Sequence, residues 1–238
     1  KGGLYPTQEV FKYPKAGEDN SKVSLHLYDL RTNKTNDIFI GKDYEYFPRI
    51  KWFASSDYNQ ELIIFGMNRN QNELDILISQ TDGSSKLLFS EKDQYYIDIH
   101  DNMTFLNNYD GFIWTSDKDG FNHIYIKSLT GKQDIQITKG NWEITKFYGV
   151  DDNNIIYFSS NESGSIYSSL YKIDLNNDDF KRILMTESTG TNNITFSNGM
   201  KYFINNYSNN KMPPYITLNR TSNGERIKLL EDNYKFSE

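Results

Sequence analysis

The 238-residue chain contains no cysteine. That excludes disulfides, thiolate metal sites and a cysteine nucleophile, and it leaves the redox compartment open. Proline is scarce, at five residues, and no long stretch has the pattern of a helix. No run of 18 apolar residues occurs, so nothing in the sequence is expected to span a membrane as a helix. The opening Lys1-Gly2-Gly3-Leu4-Tyr5-Pro6 has no apolar core behind it, so it does not read as a signal peptide. The signal of an exported parent would lie upstream. An excess of basic charge is also missing. The 26 basic and 32 acidic residues are interspersed and sum to −6, without the basic face that nucleic acid requires.

One further absence concerns chemistry. No glycine has serine two residues on and glycine four residues on; Gly83 comes nearest, with Ser85, but position 87 is Leu87. The G-x-S-x-G elbow that presents the nucleophile of an α/β-hydrolase is therefore not in this chain, and no catalytic residue is expected here.

What is present is aromatic and repetitive. Aromatics make up 15% of residues, with 18 tyrosines, a composition that favours strands. A short phrase returns five times: His26-Leu27-Tyr28, Asp75-Ile76-Leu77, His123-Ile124-Tyr125, Ser169-Leu170-Tyr171 and Tyr215-Ile216-Thr217. Successive phrases are 49, 48, 46 and 46 residues apart, the period of a β-propeller blade. Ahead of each of the last four lies an apolar run: Leu62-Ile63-Ile64-Phe65, Phe112-Ile113-Trp114, Ile155-Ile156-Tyr157-Phe158 and Tyr202-Phe203-Ile204. Such continuous runs are expected to be strands buried on both faces. Asn-, Asp- and Gly-rich turns separate the runs from the phrases, as at Asn68–Asn72 and Asp117–Gly120, and a second set, including Thr130-Gly131-Lys132, follows each phrase. Short outer strands are expected at 38–40, 87–89, 135–137, 182–184 and 227–230.

The fold class is thus all-β, a β-propeller of about four and a half four-stranded blades. Blades are expected at 45–90, 95–140, 143–187 and 192–232, with a half blade at 21–41 and an extended arm at 1–20 that does not fit the repeat. A chain that begins inside a blade reads as part of a longer protein.

Several segments carry more than periodicity. Tyr13-Pro14-Lys15-Ala16-Gly17-Glu18-Asp19-Asn20 with Lys22-Val23 resembles the YPKAG-x-x-N-x-x-V segment of dipeptidyl peptidase IV-like serine peptidases, in the prolyl oligopeptidase superfamily. Asn68–Asn72 resembles their R-x-Q-N turn. Ser116–Ile124 resembles S-x-x-x-G-[FY]-x-H-[IL], Ile137–Ile144 resembles [IL]-T-x-G-x-W-[ED]-V, and Leu230-Glu231-Asp232-Asn233 resembles the LEDN that closes the last blade. The resemblance spans nearly the whole chain. It implies the C-terminal half of an eight-bladed propeller that caps an α/β-hydrolase domain outside this chain. It further implies a peptide substrate held between the two domains, release of dipeptides after Pro or Ala, and a periplasmic, cell-surface or secreted parent. The family's paired glutamates, which bind the substrate's α-amine, lie upstream of YPKAG; Glu9, Glu18 and Glu45 stand singly here.

Two site elements follow from the resemblance. The family's aromatic-Arg pair aligns with Tyr96 and Ile97. Tyr96 is a candidate for the substrate cavity wall, with a loop tyrosine packed between blades as the alternative; Ile97 has no guanidinium to offer. The arm matches an insertion that contributes to the family's homodimer interface, with Leu4, Tyr5, Val10, Phe11 and Tyr13 as anchors. The alternative is a loop packed on its own blade.

The remaining candidates read as structural. His26 and His123 share a repeat position, which favours packing roles. His100, beside Asp98 and Asp101, lacks the further ligands a metal would need, and no metal or cofactor is expected. Ser116-Asp117-Lys118-Asp119-Gly120 departs from the sialidase Asp-box, since its Asp falls one place late and no Trp follows. Six N-x-[ST] sequons, at Asn33, Asn102, Asn161, Asn193, Asn206 and Asn219, matter only in a glycosylating host. Two functions compete. One is the cavity-walling, gating and dimerising propeller of a dipeptidyl peptidase. The other is a propeller without a working hydrolase that serves as a binding scaffold. A propeller glycosidase would need clustered channel carboxylates, and the repeat positions show none.

Overall fold

The computed structural model describes residues 4–54, 60–106, 111–130 and 134–236. Lys1-Gly2-Gly3 and, from the predicted turn at 130–132, Gly131 and Lys132 lie outside them. The chain divides into two compact units, residues 1–97 and 98–238.

In the first unit a two-stranded hairpin, β1 (His26–Asp29) and β2 (Lys34–Asp37), precedes a four-stranded antiparallel sheet. That sheet runs in sequence order through β3 (Ile50–Ala54), β4 (Gln60–Met67), β5 (Glu73–Ser79) and β6 (Ser85–Lys92). Its middle strands are buried along most of their length, because Leu62, Ile64 and Leu77 on one face meet Ile38 with Leu25, Leu27 and Tyr44. Burying each such aliphatic side chain contributes about 1.5–3 kcal/mol. The outer strand expected at 38–40 instead occupies Lys34–Asp37, directly opposite His26–Asp29. Ile38 continues that ladder by one bond, its N–H donating to Leu25 O at 3.1 Å, and its side chain turns into the core. Gly83 closes the β5–β6 turn at φ 90°, where a Cβ would stand 2.3 Å from Asp37 O, so glycine is required on both counts.

The second unit holds three more four-stranded antiparallel sheets. The first is built from β7 (Thr104–Phe105), β8 (Gly111–Ser116), β9 (His123–Ser128) and β10 (Asp134–Gln136). The second comprises β11 (Ile144–Val150), β12 (Ile155–Ser160), β13 (Ser169–Asp174) and β14 (Arg182–Leu184). The third comprises β15 (Thr191–Phe196), β16 (Tyr202–Asn209), β17 (Met212–Arg220) and β18 (Arg226–Glu231). Each is a meander with the blade architecture of a propeller; four of the five recurring phrases fall on the third strand of a four-stranded sheet, and the first, His26-Leu27-Tyr28, falls on β1 of the hairpin. Ile113, Ile124 and Ile126 interdigitate with Ile144, Ile156, Phe158 and Ile173 to form the core between two of these blades. Leu170, Ile194 and Phe203 begin a second core, with Tyr148 and Phe196 packed against it.

The apolar run at Tyr202-Phe203-Ile204 departs from expectation. Phe203 is buried, but Tyr202 and Ile204 remain 40% and 38% exposed. Strand β16 alternates instead of being covered on both sides, because among the described residues no further sheet follows to cover its outer face. No helix among the described residues is long and apolar enough to cross a membrane.

Candidate functional site

Four segments gather at one end of the β3–β6 sheet. Antiparallel pairing puts the β4–β5 turn, the connector before β3 and the connector after β6 at the same end, as the Glu73–Lys92 and Tyr46–Met67 pairs show. The root of the arm is the fourth segment.

Tyr96 sits in the connector after β6. Its N–H donates to the Asp93 carboxylate at 3.1 Å, and the next residue, Ile97, donates its N–H to Gln71 O at 2.9 Å. The loop is thereby sewn to the β4–β5 turn, whose Gln71 adopts a left-handed φ of 57°. Ile97 is buried as the anchor, whereas the Tyr96 ring is 49% exposed, with its hydroxyl 3.5 Å from Gln71 Oε1. Tyr96 is thus tethered through its backbone at this end of the sheet, half open to solvent.

The arm carries its apolar side chains in the open. Leu4, Tyr5, Val10, Phe11 and Tyr13 are between 67% and 94% exposed. Phe11 and Tyr13 touch only at a ring distance of 6.1 Å. The arm is fixed at its root. A turn at Lys15–Glu18, with Gly17 at φ 88°, is closed by Glu18 N–H to Lys15 O and by Lys15 N–H to the Glu18 carboxylate. Arg69, from the β4–β5 turn, then donates to Glu18 O at 2.9 Å and to Glu45 Oε1 at 2.7 Å. Arg69, Asp43, Glu45 and the arm root line a cleft of about 760 Å³. The sequence reading missed this clasp, although the R-x-Q-N resemblance had marked its arginine.

Beneath the same end lies a buried carboxylate that the sequence reading also passed over. Asp75 accepts from Lys42 Nζ at 2.8 Å, Tyr44 Oη at 2.7 Å and Ser90 Oγ at 2.5 Å. Burial pushes its pKa up, but the hydrogen bonds from Lys42, Ser90 and Tyr44 outweigh that and hold it below the usual carboxylate range. The signal was an isolated Asp in the apolar strand Leu74-Asp75-Ile76-Leu77.

The histidines take three different roles. His123 is fully buried, with Nε2 3.0 Å from Gly140 O and Nδ1 3.1 Å from Thr138 Oγ1. The carbonyl can only accept, so Nε2 carries the proton and Nδ1 accepts from the hydroxyl. His100 lies against Trp114 at 4.4 Å and donates Nε2–H to Thr115 O at 2.8 Å. Burial lowers its pKa, so it is neutral. His26 joins Ser24 Oγ and Asp37 Oδ1, each at 2.8 Å, which is the connectivity of a Ser-His-Asp triad. The His26 and Asp37 side chains are 48% and 87% exposed, so water competes for every group and the trio lacks the dry setting that such chemistry uses. Among the described residues no three His, Asp or Glu side chains form a metal-binding group.

Residues 1–214 match the family described as the dipeptidyl peptidase IV (DPP IV) N-terminal region. The chain belongs to this family. A crystal structure of Porphyromonas gingivalis dipeptidyl peptidase 4 superposes with a TM-score of 0.84 at 33% identity, covering 99% of this chain and 34% of that one. A protein named "Probable dipeptidyl-aminopeptidase B" from Tuber melanosporum is 26% identical over 224 residues, which is 88% of this chain and 25% of the relative. Dipeptidyl-aminopeptidase B of Aspergillus niger is 26% identical over 245 residues, 96% of this chain and 27% of its own length. The chain therefore spans about a quarter to a third of the proteins it resembles. Within the DPP IV N-terminal fold, two of the resembling segments have a physical basis: His123 of one and Thr138, Gly140 and Trp142 of the other meet in a single buried knot.

Proposed function

We propose that this chain is the propeller portion of a dipeptidyl peptidase IV-like serine exopeptidase that releases N-terminal X-Pro and X-Ala dipeptides. The observation that carries the reading is the family match over residues 1–214, with the P. gingivalis peptidase superposing on 99% of the chain. The chemistry is supplied by an α/β-hydrolase domain of the same protein. The propeller walls the substrate cavity and gates entry, with the Tyr96 ring on the rim as a wall residue. The exposed arm, through Leu4, Tyr5, Val10, Phe11 and Tyr13, supports a homodimer.

The test is hydrolysis of Gly-Pro-p-nitroanilide by this chain and by its full-length parent in parallel. The expected result is activity in the parent alone, abolished by a serine-directed phosphonate. A folded but inactive parent overturns the peptidase reading in favour of a binding scaffold. Activity in the chain itself, lost on Ser24→Ala, would place chemistry at the exposed Ser24-His26-Asp37 trio instead. In sedimentation of the parent, Phe11→Glu with Tyr13→Glu is expected to give monomers; an unchanged dimer removes the arm from the interface.

A further inference from the structure

A second cleft, of about 740 Å³, opens in the other unit between the β11–β14 and β15–β18 blades. Its lining is polar in an organised way. Asn205, on β16, is 8% exposed. Its amide orientation is fixed by a chain of bonds. Asn192 Nδ2 donates to Ser168 O at 2.8 Å and Glu187 O at 3.0 Å, so Asn192 Oδ1 must be the atom that accepts from Asn205 Nδ2 at 2.8 Å. Asn205 Oδ1 is left as a buried acceptor with no hydrogen-bond partner. Native proteins rarely leave such an atom unmatched without a reason.

Two charged groups line the same cleft. Glu187 contributes from the connector after β14. Arg226, on β18, stands opposite Asn219, yet its guanidinium bonds Tyr215 Oη four residues back along β17. The guanidinium is therefore laid alongside Thr217, the direct partner of Asn205. The residues that line the cleft thus bring together a buried amide oxygen without a donor, an acidic residue and a guanidinium donor.

We infer that this cleft binds a small zwitterion of dipeptide size, its α-ammonium at Asn205 Oδ1 and the Glu187 carboxylate and its carboxylate at Arg226. A neutral sugar would use the amide but leave both charges unmatched. Because Asn205 Oδ1 is itself buried, binding requires the lining side chains to move so that the ammonium reaches it and supplies the donor it lacks. The site is independent of the proposed peptidase centre and requires no turnover.

The experiment is titration of the full chain with Ala-Ala, followed by calorimetry and by amide chemical shifts. Saturable binding is expected, weakened about tenfold or more by Arg226→Ala and by Glu187→Gln, each of which removes one charge-assisted partner. N-acetyl-Ala-Ala and Ala-Ala-amide should each bind weakly, and free alanine serves to separate an amino-acid site from a dipeptide site. Asn205→Leu tests the orphan acceptor; should it fail to fold by circular dichroism, the two surface variants still decide. Absence of saturable binding, equal binding by the charge variants, or preference for a neutral disaccharide overturns the inference. Because this chain is expected to have no hydrolytic activity, failure here leaves the peptidase reading untouched.

Discussion

His123 meets Trp142 edge to face, with ring centroids 4.9 Å apart and planes at 90°. Trp142 also carries the Arg182 guanidinium, 5.0 Å from the ring, and Arg182 is held by a two-point bond to Glu162. The knot ties β9 to the connector that leads into the next blade. His123→Leu would strand the Thr138 hydroxyl and Gly140 O and is expected to cost about 2–4 kcal/mol. In a double-mutant cycle with Trp142→Ala, thermal denaturation should reveal a coupling of about 0.5–1.5 kcal/mol. Additive losses would mean that the two rings act separately.

Asp75 gives an acid-side signature. Its folded pKa lies below the ordinary 3.8. The stabilisation is therefore fully present above the unfolded value and is lost as pH falls through it toward the folded one. Asp75→Asn is expected to cost about 2–3 kcal/mol at pH 7, a figure discounted because Lys42 is 43% exposed. Urea denaturation at pH 7 and pH 3 should show the variant's deficit shrinking at the lower pH. A constant deficit would show that the carboxylate's charge is immaterial.

His100 acts in a separate window. Burial depresses its pKa below the ordinary 6.5, so the unfolded chain takes up the proton first. Stability is then undiminished above pH 6.5 and declines as pH drops toward the folded value. The His100→Gln variant should lose that part of the pH 7 to 5 slope while leaving the acid limb from Asp75 intact. An identical slope in both proteins would assign the decline to other groups.

Arg69 should influence assembly more than stability. Its side chain is 50% exposed, so Arg69→Ala is expected to change the folding free energy by under about 1 kcal/mol. The arm root, however, loses the bond to Glu18 O. Faster trypsin cleavage at Lys12 and Lys15, and a weaker parent dimer, are the expected results. Unaltered cleavage would show that the Lys15–Glu18 turn holds the arm unaided.

The strand plan was legible because it is written in a local code. The recurring phrases set the period, and the outer strands at 135–137 and 182–184 fell within one residue of β10 and on β14. What sequence could not supply is which partner a polar residue finds. Asp75 and Asn205 lie on strands whose pattern marks only burial, and their bonds come from Lys42 and Asn192, 33 and 13 residues away. His26 and His123 share a repeat position but not a role. The hairpin at His26 places an exposed Asp37 opposite it, whereas His123 is roofed by Trp142. The alternation of β16 escaped for a related reason: the apolar texture of Tyr202-Phe203-Ile204 is the same whether or not a neighbouring blade covers it.

The contact between His100 and Trp114 has a spectroscopic consequence. Trp114 is 1% exposed and its emission should be blue, whereas Trp52, 56% exposed, emits to the red. A protonated imidazole in contact with an indole quenches its fluorescence. Acidification should therefore dim the blue component while the red one persists, giving the second unit an intrinsic optical pH reporter that needs no label.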